Sequence, residues 1–270
     1  MQGVEFELKA TTNPLLNLNV KHVFQIPFTG KTPKGDSMTQ EWFDKRASIF
    51  EKYTLPSLKK QGTGFYVWVT FRPEDATNPT TEKVLGLLKG MKVIATFNGT
   101  MFTEDRAVWH NTDLGERLEK SLPSVELFLG RTDFIYETNL DSDDTIHKDF
   151  SKYILSEPPR FKGAFFCKNG YAYNTSDRLA EWNNPVSNQN YTIMFPALIY
   201  FDAEARLKYL DGFKSHEEIP EKFDAQEMPD NSYCTVIHGD NISTIWTHPF
   251  RGQEIYSEEK KFNILTDYFL

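Results

Sequence analysis

Residues 134–150 read F-I-Y-E-T-N-L-D-S-D-D-T-I-H-K-D-F. The apolar run from Phe134 to Leu140 has the composition of a strand, and it stops at three carboxylates, Asp141, Asp143 and Asp144, ahead of a predicted helix. A buried strand holds such groups rigidly at its end. Carboxylate oxygens suit Mg²⁺ or Mn²⁺, which keep coordination positions for water and phosphate oxygens. Asp143 is the first choice for a direct ligand. The same residues also have an ordinary reading, because Asp and Ser favour turns and helix N-caps. A calcium loop of the EF-hand kind is excluded: the sixth position from Asp141 is Ile146, where Gly is required, and the twelfth is Lys152, where Glu is required.

Working outward, the run H-V-F-Q-I-P-F from His22 reads as the first core strand, followed by the loop T-G-K-T-P-K-G-D-S. Before it, V-E-F-E-L alternates. Trp42, Phe43, Ile49, Phe50 and Tyr53 recur at helical spacing, with Arg46 near the edge of that face and Pro56 expected to limit the helix. F-Y-V-W-V-T-F from Phe65 is a second strand, Pro79 and Thr80 begin a helix, and K-V-I-A-T-F from Lys92 is a third strand. This alternation predicts a mostly parallel sheet with helices on both faces, and ligands bind such sheets beyond the carboxyl ends of the strands. From Phe161 the pattern changes to F-K-G-A-F-F-C, Y-A-Y-N and Y-T-I-M-F-P-A-L-I-Y-F, with N-G and D-R as turn signals, which predicts an antiparallel extension. Tyr171, Tyr173, Trp182 and Trp246 offer aromatic faces there for stacking on a ligand, with core packing the commoner use of each.

The chain has 270 residues, 39% hydrophobic, enough for one large α/β domain. A net charge of −8 and a pI near 5.4 argue against a nucleic-acid surface. Cys167 and Cys234, the two cysteines, lack zinc or disulfide-scaffold spacing. Glu5 and Glu7 interrupt the first twenty residues, and no run of apolar residues is long enough to span a bilayer, so a soluble, cytoplasmic protein is expected.

The stretch W-F-D-K-R-A-S-I-F-E-K-Y-T-L-P-S-L-K-K-Q from Trp42 to Gln61, the strand F-Y-V-W-V-T-F, and L-D-S-D-D-T-I-H-K-D-F together resemble the rhamnosyltransferase-like family of GT-A glycosyltransferases. The resemblance continues through H-G-D-N-I-S-T-I-W and covers about residues 22 to 250; it departs at Asn139, where a basic residue is expected. It implies a GT-A fold in a single domain over 1–270, with a nucleotide-sugar-binding half at about 22–150, an acceptor-binding half at about 151–250 and a tail at 251–270. It implies a metal-dependent, inverting transfer of rhamnose or another hexose from a UDP- or dTDP-linked donor to a glycan hydroxyl, with Mn²⁺ or Mg²⁺ as cofactor. Donor contacts fall to Arg46, Arg72, Asp141 and Asp144, and metal contacts to Asp141, Asp143, Asp144 and His238, with His248 a substitute for His238. The acidic pair in S-H-E-E-I resembles the placement of the catalytic base in inverting members, so Glu217 leads, followed by Glu218 and Asp211. A solvated helix start explains the same carboxylates without catalysis. Two other readings compete: a sugar-phosphate nucleotidylyltransferase, which P-F-T-G-K-T-P-K matches poorly, and a non-catalytic carbohydrate-binding protein with a structural cation.

Overall fold

The structure, a computed structural model, describes residues 18–29, 39–62, 64–98, 112–187, 190–213, 215–239, 241 and 244–270, without the side chains of 112–115 and 117. The expectations for V-E-F-E-L and for most of the T-G-K-T-P-K-G-D-S loop lie outside those residues.

The strands are β1 (Val20–Pro27), β2 (Phe65–Thr70), β3 (Val93–Thr96), β4 (Phe134–Asn139), β5 (Asp144–Ile146), β6 (Gly163–Phe166), β7 (Asn169–Asn174), β8 (Arg178–Asn183), β9 (Thr192–Pro196), β10 (Asp224–Glu227), β11 (Tyr233–Ile237) and β12 (Arg251–Ile255). The helices are α1 (Gln40–Ile49), α2 (Leu55–Lys59), α3 (Pro79–Leu87), α4 (Thr112–Leu129), α5 (Phe150–Ser156), α6 (Ala197–Tyr200), α7 (Ala203–Leu210), α8 (Ile219–Lys222) and α9 (Glu258–Thr266). A seven-stranded sheet runs β10-β6-β9-β4-β1-β2-β3. Every pair in it is parallel except those made by β9, which runs against both β4 and β6. A five-stranded sheet, β12-β8-β7-β11-β5, is antiparallel apart from the β7/β11 pair. The chain is thus α/β, with a mostly parallel main sheet and helices on both faces, as the alternation of elements predicts, and a smaller, mostly antiparallel sheet. Of the runs expected to build that extension, Y-A-Y-N (β7) joins it, whereas F-K-G-A-F-F-C (β6) and Y-T-I-M-F-P (β9) extend the main sheet.

Strand alternation sends side chains to the two faces of the main sheet in turn. Phe24, Ile26, Val67 and Val69 pack under Phe43 and Ala47 of α1, Val84 of α3 and Ile154 of α5. Val23, Trp68 and Ile135 pack on the other face against Leu118, Leu122 and Val125 of α4 and Tyr209 of α7. Phe28, just past β1, touches the rings of Phe43, Phe50 and Phe71 at centroid distances of 5.8, 5.2 and 5.5 Å. This aromatic knot fixes α1 against the ends of β1 and β2; truncating one such ring to Ala costs about 3–5 kcal/mol.

Four local expectations are corrected. Pro56 does not end the helix: residues Phe50–Thr54 form a π-helical turn in which the Leu55 N–H reaches back to Phe50 O, and Pro56 falls in the first turn of α2, where no N–H is needed. The long run from Tyr191 breaks at Pro196, and Ala197–Tyr200 turn into helix. The segment before Asp211, which the sequence reads as a strand and turn, is instead the helix α7, capped by the Asp202 side chain, which accepts from Ala205 N at 2.8 Å. The N-G signal likewise marks a close approach within β7, since a Cβ on Gly170 would sit 2.6 Å from Tyr233 O.

His22 lies wholly inside, its Nδ1 2.8 Å from Ser151 Oγ and its Nε2 2.7 Å from Thr138 Oγ1. Burial pushes its pKa down to about 3, so the imidazole is neutral in the fold. The unfolded chain takes up this proton near pH 6.5 and the folded chain only near 3, so the contribution is intact above pH 6.5 and lost as pH falls below it. We predict that His22→Gln, though less stable than wild type at pH 7, loses about 2 kcal/mol less stability between pH 6.5 and 5, read by urea denaturation. Parallel pH profiles for the two proteins would contradict this.

Candidate active site

The order of strands in the main sheet reverses between β1 and β4: β2 and β3 lie on one side of β1, and β4, β9 and β6 on the other. In open α/β sheets such a switch point opens a crevice at the carboxyl ends of the strands. Asp141 and Asp143 follow β4 at this place. They sit in a tight turn closed by Asp144 N–H on Asp141 O at 3.1 Å. The π-helical turn holds the loop from the other side, through Thr54 Oγ1 donating to Ser142 O at 3.1 Å.

Asp143 is the hub. Its Oδ2 forms an ion pair with Arg46 Nη1 of α1 and accepts from His238 Nε2 at 2.9 Å, with Asn241 Nδ2 at 3.5 Å. Asn241 also ties down the His238 segment, bonding Val236 O at 3.1 Å and accepting from the His238 N–H. The Arg46 guanidinium stacks on Trp42 with its carbon 5.0 Å from the ring centroid. Burial alone would push the Asp143 carboxyl up, but Arg46 and then His238 outweigh it and hold the group below the usual carboxylate range. Asp141 goes the opposite way. Burial, then the neighbouring Asp143 charge, push it up to about 7, against Arg46 and a hydrogen bond from the Asn139 side chain.

Asp144 faces elsewhere. Its Oδ2 accepts from Asn190 Nδ2 at 3.0 Å, its Oδ1 from the Val236 N–H at 3.3 Å, and Thr235 Oγ1 lies 3.5 Å away. It therefore fastens β5 to β11, bringing His238 at the end of β11 over Asp143. Among the described residues no three His, Cys, Asp or Glu side chains are arranged to hold an ion. The expected four-ligand set of Asp141, Asp143, Asp144 and His238 is not gathered as one cage. The Asp141/Asp143 pair still fits a divalent cation, because two crowded carboxylates are relieved by one, and Mg²⁺ takes one or two protein carboxylates with phosphate and water completing its shell.

The other expected residues lie as follows. Arg72 is committed to Asp75 by two hydrogen bonds of 2.8 Å, with Glu74 at 3.4 Å. Glu217 is exposed, and Glu218 pairs with Lys222 at 3.3 Å. Their turn is tied to this end of the sheet by His216 Nδ1 on Ser187 O at 2.8 Å. Asp211 is the exposed, left-handed C-cap of α7, and its carbonyl accepts from Lys222 Nζ at 3.1 Å. His248 stacks between Trp182 and Phe250 in a structural role. Of the aromatics, Tyr173 packs on Tyr53 and Phe269, Trp182 is buried, and Trp246 lies between the guanidinium groups of Arg178 and Arg251 at 4.6 and 5.3 Å. Sequence reasoning gave no role to Thr54, Asn190 or Asn241; an Asn following His-Gly-Asp was the one visible signal. A cleft of 580 Å³ adjoins the hub, lined by Glu41, Asp44, Lys45, Ser48 and Ile49 of α1 and by His238.

No family model matches this chain. No curated protein matches it. Among solved structures, the chain is similar to a crystal structure from Desulfovibrio desulfuricans G20 named a "putative nucleotide-diphospho-sugar transferase", with 14% sequence identity, 80% of this chain and 81% of that chain covered, and a TM-score of 0.37. A likeness of that size assigns no activity. No described helix is long and apolar enough to cross a membrane.

Removing Arg46 would leave Asp143 ionised, buried and beside Asp141. We predict that Arg46→Met destabilises the fold by about 3–5 kcal/mol near pH 8. In that variant the folded state holds a carboxyl proton more tightly than the unfolded chain, so the loss shrinks as pH falls toward 5. Chemical denaturation at the two pH values checks it, and an equal loss at both would contradict the account.

Proposed function

We propose that this chain is a nucleotide-sugar-dependent glycosyltransferase of the GT-A kind that moves a hexose or deoxyhexose from a UDP- or dTDP-linked donor to a glycan hydroxyl. The observation that carries this reading is the neighbouring carboxylates Asp141 and Asp143 at the switch point between β1 and β4, with Asp143 held by Arg46 and His238. Glycosyl transfer needs charge compensation for a departing diphosphate, a base for the acceptor hydroxyl, and a pocket that aligns the two.

Asp141, half-buried and outside the Arg46 ion pair, and Asp143, through its remaining oxygen, are the residues that would hold Mn²⁺ or Mg²⁺. When bound, that ion supplies Lewis-acid stabilisation of the leaving diphosphate. Arg46 fixes the rotamer of Asp143 and keeps it ionised. His238, held in place by Asn241, brings a ring from the second sheet to the edge of the cleft, where it meets phosphate oxygens. Glu217 remains the proposed base, since its turn is anchored through His216 to the segment whose Asn190 bonds Asp144. Inversion follows from that assignment and falls with it. The named sugar, rhamnose, is the part of the reading that rests on resemblance alone.

Three variants test the scheme. Wild-type protein with a panel of UDP- and dTDP-sugars is expected to release nucleoside diphosphate in Mn²⁺ and to stop on chelation. Folded Asp143→Ala loses that turnover, and a folded Asp143→Ala with near wild-type turnover would remove the ligand assignment. Glu217→Gln is expected to keep donor binding while transfer falls roughly 10²- to 10⁴-fold; full activity there moves the base to Glu218 or Asp211. His238→Ala is expected to weaken Mn²⁺ and nucleoside-diphosphate affinity together, measured by titration, whereas a loss of stability alone would mark a structural histidine.

A further inference from the structure

Gln25 is 1% exposed in the middle of the main sheet, yet among the described residues neither its Nε2 nor its Oε1 has a hydrogen-bond partner. Thr70 Oγ1, on the neighbouring strand, is buried and equally unpartnered. Gln25 is in register with Trp68 and Thr70 with Pro27, so by alternation both polar side chains lie on the Val23/Trp68 face, two positions apart along the β1/β2 pair. Gln25 is also in register with Asn139 of β4, across the switch point, and the Asn139 side chain bonds Asp141. Neighbouring strands lie about 4.8 Å apart, so the orphaned amide sits one strand from the residue that holds Asp141 and about two residues, roughly 6.6 Å, from the end of β1.

An unpaired buried amide is costly, and native folds rarely keep one without a use. The orphaned Nε and Nη1 of Arg206, on the same face, have an evident account: the guanidinium is enclosed by the rings of Tyr200, Phe195 and Trp68 at 4.3, 5.1 and 5.8 Å and is paired with Glu137. Among the described residues Gln25 and Thr70 have no such ring and no ion pair.

We infer that Gln25, with Thr70, contacts the donor and selects it through a neutral group that offers a hydrogen-bond donor and an acceptor side by side. The primary amide presents one N–H edge and one carbonyl, which match the imide edge of uracil or thymine and equally a pair of vicinal sugar hydroxyls. A ligand whose diphosphate engages the Asp141 end of β4 extends its next polar group along the switch point to this amide. The inference rests on the glycosyltransferase reading and adds to it a residue that sets donor choice.

The test compares wild type with Gln25→Leu and Thr70→Val by calorimetric titration of UDP, dTDP and UDP-glucose in Mn²⁺, with thermal unfolding of each protein alone. Gln25→Leu is expected to bind at least about tenfold more weakly while its free form melts no lower than wild type, because the change removes an unsatisfied polar group. Weaker binding of UDP and dTDP themselves identifies the base edge; weaker binding of UDP-glucose alone identifies sugar hydroxyls. Unchanged affinity in a folded Gln25→Leu overturns this inference alone, and a lowered melting temperature with unchanged affinity identifies a buried-water site instead. Wild-type protein that binds none of the three overturns the glycosyltransferase reading and this inference with it. Should Gln25→Leu not fold, Thr70→Val, which replaces the hydroxyl with a methyl, decides by the same criteria.

Discussion

Two carboxylates with a single residue between them cannot both be buried and ionised unless a cation sits beside them, and the ion pair of Arg46 with Asp143 answers that constraint. It joins α1, which follows β1, to the loop that follows β4. His238 adds a third element, since it arrives on β11 of the second sheet and reaches the same oxygen. A buried pair of this kind contributes little net stability against an apolar substitute, but losing one partner is severe. Its value lies in position: it keeps Asp143 charged and aimed, and so leaves Asp141 as the carboxylate whose charge depends on what else is bound.

The scaffold serves that arrangement from both sides. The Phe28 knot and the π-helical turn set the height and rotation of α1, and Thr54 in that turn reaches the backbone between the two carboxylates. On the other side, Asp144 is spent on structure: Asn190 and the β11 backbone saturate it, and the second sheet is thereby fixed to the main one. One short acidic run thus divides its labour, with Asp141 and Asp143 placed just past β4 at the switch point and Asp144 acting as a weld. The Glu137–Arg206–Tyr200 cluster, beneath α4 and α7, is a second buried charge system with bonds of 2.6 Å, whose surroundings are aromatic and closed.

Much of the fold was legible in the sequence because strong periodicity speaks for itself. β1, β2, β3 and β4 fall where apolar runs end in polar turns, and α3 begins at Pro79. Of the shorter runs after Phe161, Y-A-Y-N becomes β7 of the second sheet, while F-K-G-A-F-F-C and Y-T-I-M-F-P supply β6 and β9 of the main one. The sequence misleads where tertiary context overrides a local signal. Pro56 reads as a stop because a one-residue π bulge cannot be seen in sequence, and Gly170 as a turn because its cause is the Tyr233 backbone across the sheet. In the candidate site, the acidic run and Arg46 were visible as residue types. What separated Asp144 from Asp143 was not, for it depends on Asn190 and Val236, 46 and 92 residues away. Gln25 carried no signal at all, since a Gln inside an apolar strand gains meaning only when its lack of partners is known.

The proposed donor site, a diphosphate bound at the switch point between β1 and β4 through a cation on Asp141 and Asp143, is tested by a crystal of the protein with Mn²⁺ and UDP or dTDP, with the ion located by its anomalous scattering. An ion is expected about 2 Å from a carboxylate oxygen of Asp141, Asp143 or both, touching the diphosphate, with Asp144 still bonded to Asn190. A nucleotide bound with its ion on Asp144, or an ion and nucleotide seated away from this crevice, would contradict it.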